Sequence, residues 1–393
     1  MAGIIFNIEE ALKNSAFNIL QEPVKMILEN EVEAFEKSSI IDKVFVMKTT
    51  DKYREEFRST TTMDGFKPTE DMEVAGISDF QEGYSKQFVF QTWTNSFVVS
   101  KQTMEDNQMM SIEPKAMGFI KSYGRTREEY AVNVIGAALC MESDFGVSEE
   151  EKARLAKRKS LGIKDAHGYG MDTTTGDIEG TKQIYFNTAH KGVKINGKSL
   201  TTQSNRYNVE IDLDDGKQGN LEELVMDAIE QVASKAKQFK DDKGNIVPVN
   251  YTRIVLGEDY RLNDLIMRAL KSRYGSPMGG NGVNLVYGKY EVITNAYLSG
   301  VKGFTDDDHG LLLIDPQRNR EGLGAVWFDR KPLEVRSYKD DKTEANVWAG
   351  RARFGAGFGD FRAISYLNFT KVADGKGTLI TPVATGVSLT KSV

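Results

Sequence analysis

The sequence predicts an α+β protein organised around one long helix. Apolar residues recur at helical spacing between Glu113 and Phe145 for far longer than in an ordinary helix. The run KQFVFQTWTNSFVVS at Lys86–Ser100 is rich in aromatic, β-branched and threonine residues and reads as a long strand. A third, strand-like and Gly-rich stretch follows Lys331, through GRARFGAGFGDFRAISYL.

Taken in order, residues 8–37 are helix-like and acidic. Ala11, Leu12, Ala16 and Leu20 form one stripe, Pro23 interrupts it, and Val24, Ile27, Leu28 and Phe35 resume it. Such an arm needs a partner for its apolar face, in cis or in trans. Val44–Lys48 reads as a strand. From Thr49 to Gly83 the composition turns polar and Gly/Pro-bearing, with the run STTT at Ser59–Thr62. With few core residues, a loop this long without structure of its own is uncommon in a compact domain and is usually functional or disordered. Together with the strand that follows, residues 48–100 read as a two-stranded projection. Met63, Phe66, Met72, Val74, Ile77 and Phe80 lie in or beside its tip. They would be poorly buried on an isolated ribbon, so they are expected to contact a partner.

The central helix is expected over Lys115–Met141, about 40 Å at ~1.5 Å per residue. Pro114 fits its first turn, where a missing N–H costs nothing. Ala116, Phe119, Ile120, Tyr123, Ala131, Val134, Ile135, Ala138 and Leu139 make its buried stripe, with Ile120, Val134, Ile135 and Leu139 as its core. Lys121, Arg125, Arg127, Glu128 and Glu129 largely cover the opposite side. Gly118, Gly124 and Gly136 each weaken the helix by roughly 1 kcal/mol relative to alanine, and a bend is expected near Gly124.

Beyond it, Glu149–Lys164 is a charged, solvated helix face. Leu221, Leu224, Val225, Ala228, Ile229 and Val232 mark an amphipathic helix, Asp241–Asn245 a turn, and Thr252–Leu256 a short strand. Leu262, Leu265, Ile266, Ala269 and Leu270 mark another helix. Asn284–Asn295 and Gly310–Ile314 are strands, the second closed by Pro316, and Thr378–Ser388 is a β-prone tail.

With 393 residues the chain can bury a large core and hold two or more domains. Its 40% apolar and 27% charged content is that of a globular protein, and a net charge of −6 argues against a dedicated nucleic-acid binder. The single cysteine, Cys140, excludes an intramolecular disulfide and reads as a small buried hydrophobe. The N-terminus has no basic region ahead of an apolar core, which is unlike a signal peptide, and no apolar run reaches 18 residues.

Residue patterns that carry chemistry are sparse. His167, His190 and His309 have no metal-ligand spacing. Asp306–His309 (DDDH) lacks the oxygen spacing of a calcium loop and reads as a solvated turn. GAGFGD at Gly355–Asp360 suits a bent strand better than a phosphate cradle, and GSPMGGNG at Gly275–Gly282 lacks the Lys-Ser/Thr of a phosphate loop. No catalytic, cofactor-binding or metal-ligating residue is assigned, and the chain is not read as an enzyme.

The order of elements is nonetheless informative. An arm, a long β-projection, a long helix, a mixed α/β block and a returning strand set resemble the tailed-phage major capsid protein. QTWTNSFVVSKQTMEDN at Gln91–Asn107 looks like the end of that family's extended loop leading to its spine helix. YFNTAHKGVKINGKSLTTQSN at Tyr185–Asn205 is similar to the Phe-Ser-x-x-His stretch of Mu-like major head proteins, with Asn187 in place of the serine. Asp241–Ser272, Tyr287–Leu298 and His309–Pro316 resemble the turn, strands and helix that follow. The resemblance covers about Val44–Leu367 and departs at both ends.

The resemblance implies a tailed-phage capsid fold. It would comprise an N-terminal arm (1–47), an extended loop (48–100), a peripheral domain with the spine helix (101–180) and an axial domain (181–329). Returning peripheral strands (330–370) and a C-terminal tail (371–393) would complete it. It implies self-assembly into an icosahedral head enclosing double-stranded DNA, as hexamers and pentamers, with scaffolding, portal and decoration proteins as partners and no membrane. Assembly would take place in the host bacterial cytoplasm, and the product would be the virion capsid. Lys152, Arg154, Lys157 and Arg158 would then be candidates to face the packaged DNA without sequence preference. Two alternatives are an encapsulin-like compartment shell and a soluble enzyme without a recognisable motif.

Overall fold

A computed structural model describes residues 5–7, 26, 28–29, 39–52, 54–60, 66, 82–106, 109–139, 185–188, 190, 203–213, 221–241, 244–271, 286–301, 303–305 and 308–370. The fold is α+β. The chain divides into two compact units, residues 1–55, 88–132 and 326–356 forming the first and 56–87, 133–325 and 357–393 the second.

The first unit holds a five-stranded sheet. Its order is β1 (Ile5–Asn7), β10 (Ala325–Lys339), β11 (Asn346–Phe358) and β5 (Gln91–Val99), with β2 (Val46–Thr49) also paired to β10. β1 and β2 lie parallel to β10, while β5 runs antiparallel to β11 from Gln91 opposite Phe354 to Val99 opposite Asn346. The helix α3 (Met109–Leu139) crosses one face of this sheet, and α1 (Ile41–Val44) and α2 (Lys101–Glu105) are short connectors. Aromatic rings form the floor under α3: Trp93 stacks on Phe354 at 5.4 Å, Phe97 on Trp348 at 5.1 Å, and Tyr130 meets the edge of Trp327. Gly350 is required by this packing, because a methyl group there would overlap the Phe119 ring.

The second unit holds a five-stranded sheet in the order β6 (Arg206–Glu210), β12 (Ile364–Thr370), β9 (Gly310–Ile314), β7 (Arg253–Leu256) and β8 (Glu291–Thr294). Helices α4 (Leu221–Ala236) and α5 (Tyr260–Lys271) supply the apolar residues Val225, Ile229, Val232, Leu262 and Ile266 to a core shared with Val209, Ile254, Leu311, Leu313, Leu367 and Phe369. Five consecutive buried residues in β9 fit a strand covered on both faces. Its exit is cut by helix α6 (Pro316–Gly322), where Asp315 caps the N-terminus by accepting from Gln317 N and Arg318 N at 3.0 Å each, with Pro316 in the first turn.

Among the described residues a third sheet contains β3 (Arg54–Thr60) and β4 (Glu82–Val89), paired with each other.

Several expectations are corrected by these observations. The Lys86–Ser100 run is two strands divided at Phe90, because its apolar residues point to both faces and its halves join different sheets. Only the first half belongs to the two-stranded projection, and β5 is a core strand. Pro114 is not in a first turn: the helix begins at Met109 and carries the proline inside it. The last returning strand, β12, pairs with β6 and β9 in the second sheet rather than joining β10 and β11. Of the strand expected at Asn284–Asn295, the described residues form strand only in β8, and Val286, Tyr287 and Gly288 make a turn with Gly288 at φ 63°. Val44 ends the one-turn helix α1, and the strand begins two residues later.

Along α3, Ile120, Val134, Ile135 and Leu139 are all buried, with Ala116, Phe119, Ala131 and Ala138 beside them. Ile135→Asp would leave a carboxylate buried without a partner and remove an isoleucine side chain, together costing several kcal/mol. The expected outcome is insoluble or unfolded protein by circular dichroism, against a folded Ile135→Val control.

Candidate functional site

Two charged residues of α3 sit where the apolar stripe would place a hydrophobe. Arg127 lies four residues from both Tyr123 and Ala131, and Glu128 four residues from Gly124 and seven from Ile135. The expectation that both cover the solvent side is overturned: Arg127 is 6% exposed and Glu128 3%. Arg127 Nη2 donates to Asp329 Oδ2 at 3.3 Å and its Nη1 to the Tyr123 hydroxyl at 2.9 Å. The guanidinium also lies 5.1 Å from the Trp327 ring centroid, and the indole N–H of Trp327 donates to the other Asp329 oxygen at 2.9 Å. Asp329 is thus filled from both sides by groups positioned on one helix and one strand. Burial opposes the charge on Arg127, but Tyr123 and Asp329 hold its pKa above the ordinary arginine value. One turn position on, Glu128 Oε1 accepts from Ser39 Oγ at 2.5 Å and from Ile40 N at 3.1 Å, so it fixes the entry to α1.

The second unit has its own buried polar groups. His190 is stacked on Phe361 at 3.8 Å between centroids and its Nε2 lies 2.7 Å from Asn205 Oδ1. Asn205 in turn donates to the carbonyls of Phe361 and Ile364. These contacts join the segment before β6 to the start of β12. Asp360 is held between Arg318 at 2.8 Å and Arg362 at 3.2 Å, and caps the 3-10 turn Phe361–Ala363. Burial pushes the Asp360 carboxyl up, but Arg362 and Arg318 outweigh it and hold it below the usual aspartate value.

His309 does not lie in a solvated turn. It is buried, with a left-handed φ of 46°, and its Nδ1 meets Asp259 Oδ2, while Asp259 Oδ1 caps α5 by accepting from Leu262 N. The turn itself is present, tied by Asp308, which accepts from Gly303 N and the Thr305 hydroxyl. The next residue, Gly310, packs so closely against the Gly303 carbonyl that it has no room for a side chain. A buried histidine and aspartate are not by themselves a catalytic set.

Among the described residues no group of three or more histidine, cysteine, aspartate or glutamate side chains could hold a metal ion. Among them no helix is long and apolar enough to cross a membrane. Of the residues expected at the projecting tip, Phe66 is fully exposed; Met63, Met72, Val74, Ile77 and Phe80 lie outside the described residues. Lys152, Arg154, Lys157 and Arg158 also lie outside them.

No protein-family model matches the chain, and no curated protein matches it. Solved structures do. The chain is similar to the capsid structure of the cyanophage P-SCSP1u, at 10% identity and a TM-score of 0.47, over 85% of this chain and 89% of that one. It is similar to a structure from Microbacterium phage Oxtober96, at 13% identity and 0.43, over 85% and 91%. It is also similar to the capsid of Ralstonia phage GP4, at 12% identity and 0.43, over 84% and 88%.

Two outcomes follow from the buried charges. Asp329→Ala strands the Arg127 charge in an apolar site, and is expected to lower unfolding stability by about 3–5 kcal/mol in denaturant titration. Arg127→Met with Asp329→Leu should recover part of that loss, since no charge is then left unpaired, although the buried Trp327 indole N–H loses its acceptor. For Asp360 the folded pKa is depressed, so its contribution is present above the ordinary aspartate pKa near 3.8 and disappears as pH falls through the lower folded value. Stability of the wild type measured from pH 6 downward should therefore converge on that of Asp360→Asn at acid pH.

Proposed function

We propose that this chain is the subunit of a self-assembling protein shell, the major capsid protein of a tailed-phage head that encloses double-stranded DNA. The observation that carries the reading is the projection. β3 and β4 pair only with each other among the described strands, and the segment between them carries six large apolar residues, of which Phe66 stands in full contact with solvent. A two-stranded ribbon is marginal in water, and apolar side chains on it call for a partner surface. The ordered string resemblances over Val44–Leu367 make that partner another copy of the chain.

In this reading Met63, Phe66, Met72, Val74, Ile77 and Phe80 contact the neighbouring subunit. Each contact is modest, but a subunit joined to several neighbours is held far more tightly than any one pair. Copies meet through unlike surfaces, so a shell closes only when curvature is set correctly, as hexamers and pentamers do. Scaffolding, portal and decoration proteins are the accessory partners, and Lys152, Arg154, Lys157 and Arg158 offset repulsion between a negative subunit and packaged DNA. The first unit, with α3, serves as the peripheral domain and the second as the axial domain. The work of the chain is structural rather than catalytic, its place is the virion, and assembly occurs in the bacterial cytoplasm.

The test is deletion of Asp64–Gln81 with a Gly-Ser closure. Circular dichroism should show a folded subunit, because the described strands of the two five-stranded sheets lie outside this segment. Negative-stain microscopy should show shells tens of nanometres across for the full chain and none for the deletion. Normal shells from the deletion would make the projection dispensable, and a full chain that stays monomeric at high concentration would end the capsid reading.

A further inference from the structure

We propose that the outer edge of β5 joins β5 of a second copy of the chain, antiparallel and centred on Asn95, so that the two sheets become one. Among the described strands β5 pairs only with β11 and ends its sheet. In an antiparallel ladder the N–H and C=O of one residue point to the same side, and the side alternates along the strand. The Ser96 N–H donates to the Asn95 side chain at 2.9 Å, and the Val98 carbonyl accepts from Lys115 Nζ at 3.3 Å. The even-numbered residues Thr92, Thr94, Ser96 and Val98 therefore aim their backbone groups away from β11. All four are exposed, as is Asn95 between them. An edge of this length is a template for another strand.

The side chains favour a second β5 over a foreign strand. An even residue finds donors and acceptors only opposite another even residue, which limits the registers. The one centred on Asn95 overlaps the whole strand, Gln91 opposite Val99. On one face it sets Thr94 against Ser96, and Thr92 against Val98, which is 48% exposed in the single chain. On the other face it sets Trp93 against Phe97 as a non-hydrogen-bonded pair, where side chains come closest. Both rings are half-buried, stacked on Phe354 and Trp348, and each would extend the other's aromatic floor.

Charge is complementary as well. Asn95 donates to Ser122 Oγ at 3.4 Å, so Ser122 stands over the middle of the strand. Lys115 and Glu129 lie seven residues before and after it, about two turns away on the same stripe of α3. Lys115 is exposed, and the Glu129 side chain is 55% exposed with Arg125 at 4.0 Å. A twofold axis through Asn95 reverses the second helix, so Lys115 of each copy is set opposite Glu129 of the other. Lys115 would leave the Val98 carbonyl for that carboxylate, which opens the backbone group that the second strand needs. An unrelated strand would meet the same backbone groups without the aromatic or the charge match. The contact needs two copies only and does not rest on the shell reading.

The test is Asn95→Cys in the full chain, with Cys140 left in place and linked peptides identified by mass spectrometry. The twofold axis brings the two introduced thiols together. Diamide oxidises them to a disulfide, itself taking up two electrons and two protons. Non-reducing gels should show a dimer linked through position 95. Thr92→Cys co-expressed with Val98→Cys should give the mixed disulfide, whereas Val98→Cys alone should not link to itself. Glu129→Lys should lower the position-95 yield several-fold, and Glu129→Lys with Lys115→Glu should restore it. Folded Asn95→Cys protein without that dimer would overturn the proposal. So would self-links of Val98→Cys as abundant as the mixed ones, and so would a yield untouched by the charge changes. If Asn95→Cys does not fold, the mixed link between positions 92 and 98 decides alone, its presence supporting the contact and its absence overturning it.

Discussion

Arg127 is a full charge held where water is almost absent, and the first unit depends on it. Left alone, such a group would cost several kcal/mol. Here the cost is offset by Asp329, the Tyr123 hydroxyl and the face of Trp327, and the indole N–H then fills the second oxygen of the same aspartate. Replacing the pair by hydrophobes could leave stability unchanged. What an apolar replacement would lose is direction. A greasy stripe can slide or rotate over a flat aromatic floor, whereas a guanidinium with one carboxylate to meet fixes both the rotation and the height of α3 over β10.

Glu128 extends the same constraint to the chain's entry. Ser39 and Ile40 reach it across 89 and 88 residues of sequence, and Asp329 reaches Arg127 across 202. Three distant stretches therefore meet within one helical turn. Contacts of such separation must close large loops before they return any stabilisation, which makes folding of this unit slow relative to a local helical bundle. β2, which follows α1 directly, takes its place on β10 at Val326–Asp329, so the buried pair and the strand pairing are set by the same few residues.

Much of this was legible in the sequence where one short-range pattern decides the outcome. The period of Ala116 to Leu139 marks the buried face of α3, and the same kind of local pattern marks the amphipathic helices α4 and α5 and the strand β9 further along the chain. Arg127 and Glu128 show where that reading stops. Both lie on the apolar stripe by position, and that position was the available signal, but residue type assigned them to solvent. Only Asp329 and Ser39, far away in sequence, explain how a charge is tolerated there. His309 follows the same logic: three aspartates before it speak for a wet turn, while Asp259 meets it inside. The Lys86–Ser100 run failed for a different reason. Alternation identifies a strand but not its partner, and the change of sheet at Phe90 has no local marker beyond apolar residues on both faces.

The contrast between the two kinds of sheet bears on how a shell would form. The five-stranded sheets bury many aromatic and aliphatic side chains, whereas among the described strands β3 and β4 pair only with each other. Under the proposed function, ordering their tip costs conformational entropy that is recovered only on contact with another copy. That lowers the affinity of any single contact, and the loss is useful: a misplaced subunit held by one weak contact leaves quickly, while a correctly placed one is held by several at once. A rigid, preorganised tip would bind each neighbour more tightly and would trap misplaced copies. Under the proposed function, weak single contacts through the projection and a helix firmly fixed around Arg127 are therefore complementary requirements on one chain.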